Sequence, residues 1–383
     1  MADLEIRAED GQAIETVETE AAESIFVASQ WKLVWWRFRK HRLAVISAVV
    51  LGIMYTMVVF AEFFSPYNAT QSDKRFIYAP PQKLHFVDSE GNFHLPPFTY
   101  AMTGTLNMET LRVEYEVDTS VVYPIRFFVR GAPYKLLGLI DTDVHLIGTD
   151  EGGTVFLLGT DKQGRDMLSR LIYGGRISLS VGLLGIAISF VLGILLGGLS
   201  GYYGGVFDIT LQRVIEFMRS VPTLPLWMGL SAALPPTWSV VQNYFAIVVI
   251  LSLLGWTGLA RVVRSKFMSL REEDFVMAAR LLGAKELRIV FRHMVPSFAS
   301  YLIADLSLSI PGMILGETSL SFIGLGLQPP AISWGVLLKE AQAIRVLNEA
   351  PWLLYPGIAV VVAVLAFNFM GDGLRDAADP YSR

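Results

Sequence analysis

Ile177 to Leu199 reads ISLSVGLLGIAISFVLGILLGGL, twenty-three residues without a charge. A bilayer hydrocarbon core of ~30 Å takes about 20 apolar residues of helix to cross. A helix also pairs its own backbone groups where no water can. Working outward, Leu43–Ala61, Tyr244–Ala260, Pro296–Gly316 and Trp352–Met370 are runs of the same kind, Pro296–Gly316 carrying Asp305 and Pro311. A weaker run, Ser220–Leu234, is broken by Pro222 and Pro225 and preceded by Arg213, Glu216 and Arg219. The fold expected is all-α and polytopic, with six transmembrane helices. Composition agrees: 53% of residues are hydrophobic and 17% charged, against about 25% charged in soluble domains.

The loops set an orientation. Lys32, Arg37, Arg39, Lys40 and Arg42 crowd before the first run, and eight Lys/Arg fall from Arg261 to Arg292. The excess of such residues in cytoplasmic loops predicts that both termini are cytoplasmic and that Glu62–Gly175 lies outside. Five segments follow: a disordered acidic cytoplasmic tail over 1–30, an N-terminal segment with the first span over 31–66, an extracytoplasmic insertion over 67–156, a transmembrane core over 157–371, and a cytoplasmic C-terminal tail over 372–383. The tail rests on eight acidic side chains against Arg7 in residues 1–24, too polar to fold alone and unlike a secretory signal. Within the insertion, Leu84–Val87 and Phe93 onward flank Asp-Ser-Glu-Gly-Asn as a hairpin does. Arg112–Val117 alternates polar and apolar, and Tyr123–Val129 is a third strand candidate. A small β-rich cap is one reading, a partly ordered loop on the helices the other.

Ser269 to Pro296 is the most informative cytoplasmic stretch. Ser269 and Glu272 have capping-box spacing, and Glu272, Glu273 and Asp274 bring negative charge to a helix start, where the dipole favours it. Phe275, Ala278, Ala279 and Leu282 then follow i, i+3, i+4, i+7. Gly283 ends that helix. Leu287, Val290, Phe291 and Met294 mark a second helix, with Lys285, Arg288 and Arg292 on its other face and Pro296 closing it. Such a pair suits either a partner's groove or the membrane surface.

Phe275-Val-Met-Ala-Ala-Arg-Leu-Leu-Gly283 with Arg292-His-Met-Val-Pro296 resembles the EAA coupling loop of binding-protein-dependent ABC importer permeases. Ala278, Ala279 and Gly283 match that motif; Met277 stands where its glutamate would be, and His293 and Val295 replace its usual Ile and Leu. Trp35–Ala44, Leu158–Leu179, Gly201-Tyr-Tyr-Gly-Gly205, Gly316–Pro330 and Phe367–Asp376 with Asp379 and Pro380 resemble the oligopeptide/dipeptide branch, over about residues 31–66 and 157–383. The resemblance implies a permease subunit carrying half of a path for peptides or similar small solutes. It implies ATPase-coupling residues at Glu272, Glu273, Asp274, Phe275, Ala278, Ala279, Arg280 and Gly283. It also implies partners: a second permease subunit in a heterodimer, two ATPase subunits that bind the ATP and Mg, and an extracytoplasmic substrate-binding protein, in a bacterial inner membrane.

Other residues add to this. Gly193, Gly197 and Gly201 repeat every fourth position and allow close helix approach, for which packing within the chain is the simpler use. Asp161, Lys162, Arg165, Asp166 and Arg170 alternate with Met167, Leu168, Leu171 and Ile172, which suits an amphipathic helix on the outer surface. Asp305 is an acid deep in a span, costing about 2.5–3.5 kcal/mol to insert; it either lines the translocation path or bonds a neighbouring helix. Glu317, at the outer end of that span, is expected as a helix-end or gate contact on the same path. No G-x-x-x-x-G-K-[ST] occurs, so ATP hydrolysis would fall to partners. A self-sufficient secondary transporter would carry internal repeats and several intramembrane ionisable groups. An intramembrane enzyme would need a nucleophile or metal constellation. The chain has no cysteine, and its five histidines lack ligand spacing, so no catalytic or metal residue and no cofactor of its own is expected, nor a nucleic-acid partner at net charge -4.

Overall fold

The computed structural model describes residues 30–109, 112–150 and 152–378. The tail expected over 1–30 lies outside them except for Gln30, and so do Asp379 and Pro380. Helix α1 (Gln30–Lys40) carries Arg37, Arg39 and Lys40 in its last turn, where the helix dipole favours cations. His41 accepts a bond from Ala44 N at 3.2 Å and starts α2 (Arg42–Val59), followed by the single turn α3 (Ala61–Phe64).

The segment that follows holds a four-stranded antiparallel sheet in chain order, β1 (His85–Val87), β2 (Phe93–Asn107), β3 (Arg112–Leu136) and β4 (Ile140–Thr149). β3 is long enough to pair with two neighbours in succession: its first half takes β2 with Met102 opposite Val117, its second β4 with Phe127 opposite Ile147. His145 on β4 sits between the carbonyls of Ser65 and Ala132, at 2.8 and 3.1 Å, and ties the sheet to the end of α3.

Helix α4 (Met167–Tyr203) begins where Asp166 accepts from Ser169 N at 2.7 Å and ends at Gly204, φ +66°. Its 37 residues span about 55 Å, well beyond the hydrocarbon core. α5 (Gly205–Ser220) stops at an extended Val221, the backbone that a following proline imposes, and α6 (Thr223–Ala232) follows. The capping box falls at Ser239 and Gln242, opening α7 (Val240–Leu270). After the loop described below come α10 (Ala299–Ile323), α11 (Trp334–Glu340), α12 (Ile344–Glu349) and α13 (Tyr355–Ala378). Residues 372–378 continue α13 as helix rather than opening a tail.

Among the described residues, five helical stretches are long and apolar enough to cross a membrane: Arg42–Val59, Met167–Tyr203, Val240–Leu270, Ala299–Ile323 and Pro351–Ala378. The run Ser220–Leu234 differs from the expectation of a sixth span. Pro222 interrupts it, and the ten residues of α6 reach about 15 Å. The five long helices meet in one core through Leu51, Leu179, Leu251, Ile314 and Phe367. The seam between α4 and α7 is close. A methyl group on Gly197 would stand 2.8 Å from the Ala260 Cα, and one on Gly201 2.5 Å from the Arg264 carbonyl oxygen. The glycine repeat therefore packs the chain against itself.

Candidate functional site

α7 runs on through Ser269 because Leu259, Val263 and Phe267 keep its inner face buried. That removes Ser269 from the capping role expected of it. The chain turns at 271–273, with Arg271 Nη2 3.5 Å from Glu272 Oε1, and α8 (Asp274–Leu281) starts after Glu273 with no side-chain cap. Gly283, φ +74°, closes α8: its N–H donates to Arg280 O at 2.9 Å and that of Ala284 to Ala279 O at 3.0 Å, the paired bonds of a Schellman ending.

The face of α8 turned inward differs from the one expected. Val276 and Ala279 are buried with Phe267, Ile289, Met294 and Phe298. Phe275, Met277, Ala278, Leu281 and Leu282 point away from the chain, and the two leucines are 89% and 88% exposed. Ala279 is therefore a core residue of this chain. Arg280 lies 5.0 Å over the Tyr202 ring, a cation–π contact that holds the helix to the end of α4. Glu272, Glu273 and Asp274 are exposed.

The second helix is shorter than its pattern suggests. α9 (Glu286–Ile289) gives way to a π turn at Val290–Met294, in which Val295 N bonds Val290 O. Pro296 lacks the N–H that the Arg292 carbonyl would otherwise receive, and a wider turn relieves this. Leu287 and Phe291 stay exposed and line a cleft with Ile194, Leu195 and Tyr203 of α4, so both arms of the loop carry exposed apolar side chains. Behind it, Asp208 on α5 takes a two-pronged bond from Arg264 and another from Ser200. These partners are 56 and 8 residues away, which is why no local spacing announced them.

Two clefts are lined by residues outside the loop. One of about 440 Å³ is lined by Met218, Arg219, Trp227, Leu254, Ser309 and Met313, from four different helices. Another, of about 470 Å³, holds Asp305 with Ser300, Tyr301, Arg375 and Asp376, and Leu308 lines both. Asp305 thus faces a cleft that adjoins the first at Leu308, and Tyr301 Oη lies a long 3.5 Å from its Oδ1. Arg219 was missed because it reads as a flank of a weak span. Glu317, expected on the same path, is enclosed between helices. None of its surface is exposed; it accepts from Ser178 Oγ at 3.0 Å and Ser321 Oγ at 2.9 Å and joins α10 to α4.

The charged stretch before α4 also corrects its reading as a surface helix. Residues 158–166 form a compact loop because their charges turn inward. Asp161 Oδ2 lies 2.6 Å from Arg165 Nε and 3.2 Å from Arg170 Nε, and Glu340 Oε1 is 3.5 Å from Arg165 and 3.7 Å from Lys162. Burial pushes Asp166 up to about 6. Burial first, and then the neighbouring Asp161, also raises Glu340.

Residues 190–383 match the family described as binding-protein-dependent transport system inner membrane component. Residues 29–81 match the N-terminal TM domain of oligopeptide transport permease C. The oligopeptide transport system permease protein OppC of Mycobacterium tuberculosis is 41% identical over 189 residues, 49% of this chain and 63% of that protein. The chain therefore spans less than two thirds of the length of that relative. OppC of Bacillus subtilis is 26% identical over 356 residues, 93% of this chain and 91% of that protein, an alignment that runs across the sheet-bearing segment. Among solved structures, a chain of the inward-facing MetNI methionine ABC transporter aligns with a TM-score of 0.44 and 19% identity, covering 56% of this chain and 98% of that one.

Proposed function

The chain belongs to the binding-protein-dependent transport system inner membrane component family, and on that premise we propose that it is a permease subunit of an ATP-driven importer. It forms half of a path for peptides or similar small solutes. It performs no chemistry itself; ATP and Mg are bound by two ATPase partners. A second permease subunit completes a heterodimer, and an extracytoplasmic binding protein delivers the solute. The observation that carries this reading is the loop over 269–296. It is folded by its own inner residues yet presents Leu281, Leu282, Leu287 and Phe291 outward, in a sequence with no nucleotide-binding loop of its own.

In this reading both termini are cytoplasmic in a bacterial inner membrane, and the sheet over 85–149 stands outside. The break at Pro222 folds a sixth, discontinuous crossing from α5 and α6, as suits backbone that lines a cavity. Glu272, Glu273, Asp274, Phe275, Ala278, Arg280 and Gly283 contact or shape the ATPase-docking surface, with Ala279 supporting it from behind. Asp305 lines the path and meets a cationic or polar part of the solute. The test is to remove the chain from the cell that makes it and follow uptake of labelled peptides, and in parallel to purify the intact chain and identify what accompanies it. Loss of uptake with a co-purifying ATPase is expected. An intact, correctly inserted chain that never carries an ATPase would end the proposal.

A further inference from the structure

The hairpin joining β3 to β4 ends in Leu136-Leu-Gly-Leu-Ile140. At this tip Leu137, Leu139 and Ile140 are 52%, 83% and 63% exposed. Leu137 has φ +52° and Gly138 φ +72°. A leucine in the left-handed region costs on the order of 1 kcal/mol that an asparagine or glycine would largely avoid, so the turn keeps an apolar side chain at a position where polar ones fold more easily.

The position of the tip says what it meets. Arg176 and Glu62 pair at 2.5 Å where α4 and α3 meet the outer boundary, and Arg176 Nε also donates to Val58 O at 2.8 Å. Leu137 and Gly138 line one cleft with Glu62 and Arg176 themselves and with Tyr55, Val58, Leu179 and Leu183. Leu183 lies seven residues past Arg176, about 10 Å further along α4, and Tyr55 is a full turn inside the end of α2. The hairpin tip therefore stands at a cleft between α2 and α4 that runs from the charged pair to the level of the span residues. Leu139 and Ile140 are exposed beside that cleft, and apolar side chains on α2 (Ile46, Val49, Ile53) and α4 (Leu184, Ile188, Val191) are exposed as well. Lys135 and Asp141, 3.8 Å apart and both exposed, stand at the neck of the turn, where a headgroup layer would solvate them.

We propose that residues 136–140 insert into the outer leaflet as an apolar anchor, with lipid acyl chains as their occupant. The anchor would hold the sheet in a defined attitude over the helices. The inference rests on the orientation proposed above, and the experiment separates the two. Because the chain has no cysteine, Leu139→Cys, Glu90→Cys and Ile53→Cys each give one labelling site for an NBD fluorophore. The labelled full chain, with its co-purifying subunits, is reconstituted in vesicles with and without lipids carrying a doxyl quencher near the headgroup. Leu139 is expected to emit in the blue and to be quenched several-fold more than Glu90, which lies on the β1–β2 turn, and to approach Ile53 on the outer face of α2. Water-like emission at Leu139 with Ile53 quenched would overturn the anchor. Blue emission without lipid quenching would also overturn it, because the tip would then be seated on a protein partner. An Ile53 site that is itself unquenched would instead count against the membrane placement of α2 and take the anchor with it.

Discussion

Replacing Leu281 and Leu282 together by alanine tests the outward face of the loop. Both side chains are nearly fully exposed, at 89% and 88%, so almost none of their burial energy is used within the chain. Fully burying a leucine is worth about 1.5–3 kcal/mol, which sets an upper bound of roughly 3–6 kcal/mol for the pair against a docked partner. Association does not return buried area in full; a realised loss of about 2 kcal/mol is roughly 30-fold in Kd. Alanine keeps the helix, so thermal unfolding of the chain in detergent should stay within about 0.5 kcal/mol of the parent. The assay is titration of the purified ATPase partner onto the chain in nanodiscs, with substrate-stimulated ATP hydrolysis followed in parallel. Val276→Ala is the counterpart. Val276 has no exposed surface, so its truncation should cost about 1–3 kcal/mol of stability and leave the Kd of the folded fraction unchanged. If the double leucine variant bound within twofold of the parent while Val276→Ala weakened binding, the inner face would be the docking face and the assignment would be wrong.

Gly197→Val should destabilise the chain by about 1–3 kcal/mol or more, because the added carbons meet Ala260 backbone; Gly229→Ala, with open space around it, should not, and equal melting temperatures would refute the seam. Asp305→Asn should lower uptake of cationic peptides about tenfold while sparing neutral ones, in line with about 1.5–3 kcal/mol for a bond to a charged group; equal uptake of both would remove Asp305 from the path. Glu317→Ala should lower stability by about 1–3 kcal/mol by stranding the Ser178 and Ser321 hydroxyls, whereas altered solute preference at unchanged stability would return it to the path. Asp166 titrates near 6 when folded, against 3.8 ordinarily. Between those values the folded chain keeps a proton that the unfolded chain has released, so stability falls as pH rises from about 4 to about 6. Asp166→Asn should flatten that part of the melting-temperature profile, and an unchanged slope would show that the group is not buried as described.

How much of this was legible beforehand depends on how far apart the interacting groups lie in the chain. An apolar run either is or is not as long as the hydrocarbon core is thick, so the stretches at 43–61, 177–199, 244–260, 296–316 and 352–370 could be read one at a time. The coupling-loop motif and the glycine repeat at 193, 197 and 201 are also local patterns, and the family match follows from such patterns. Which way a short amphipathic helix turns is a different matter. Phe275, Ala278, Ala279 and Leu282 satisfy helical spacing, yet Val276 and Ala279 are the buried pair because Phe267, Ile289 and Met294 converge there from other elements. The charges at 161–170 look like a surface face until Glu340, 175 residues from Arg165, comes to meet them. Glu317 and Asp305 are both acids on one helix, but one is enclosed by serines from α4 and α10 while the other faces a cleft. Burial and ion pairing depend on groups distant in sequence that pack together only once the chain has folded. The sequence alone therefore determined that this chain crosses membranes and which family it joins, and the packing determined which of its side chains remain available to anything else.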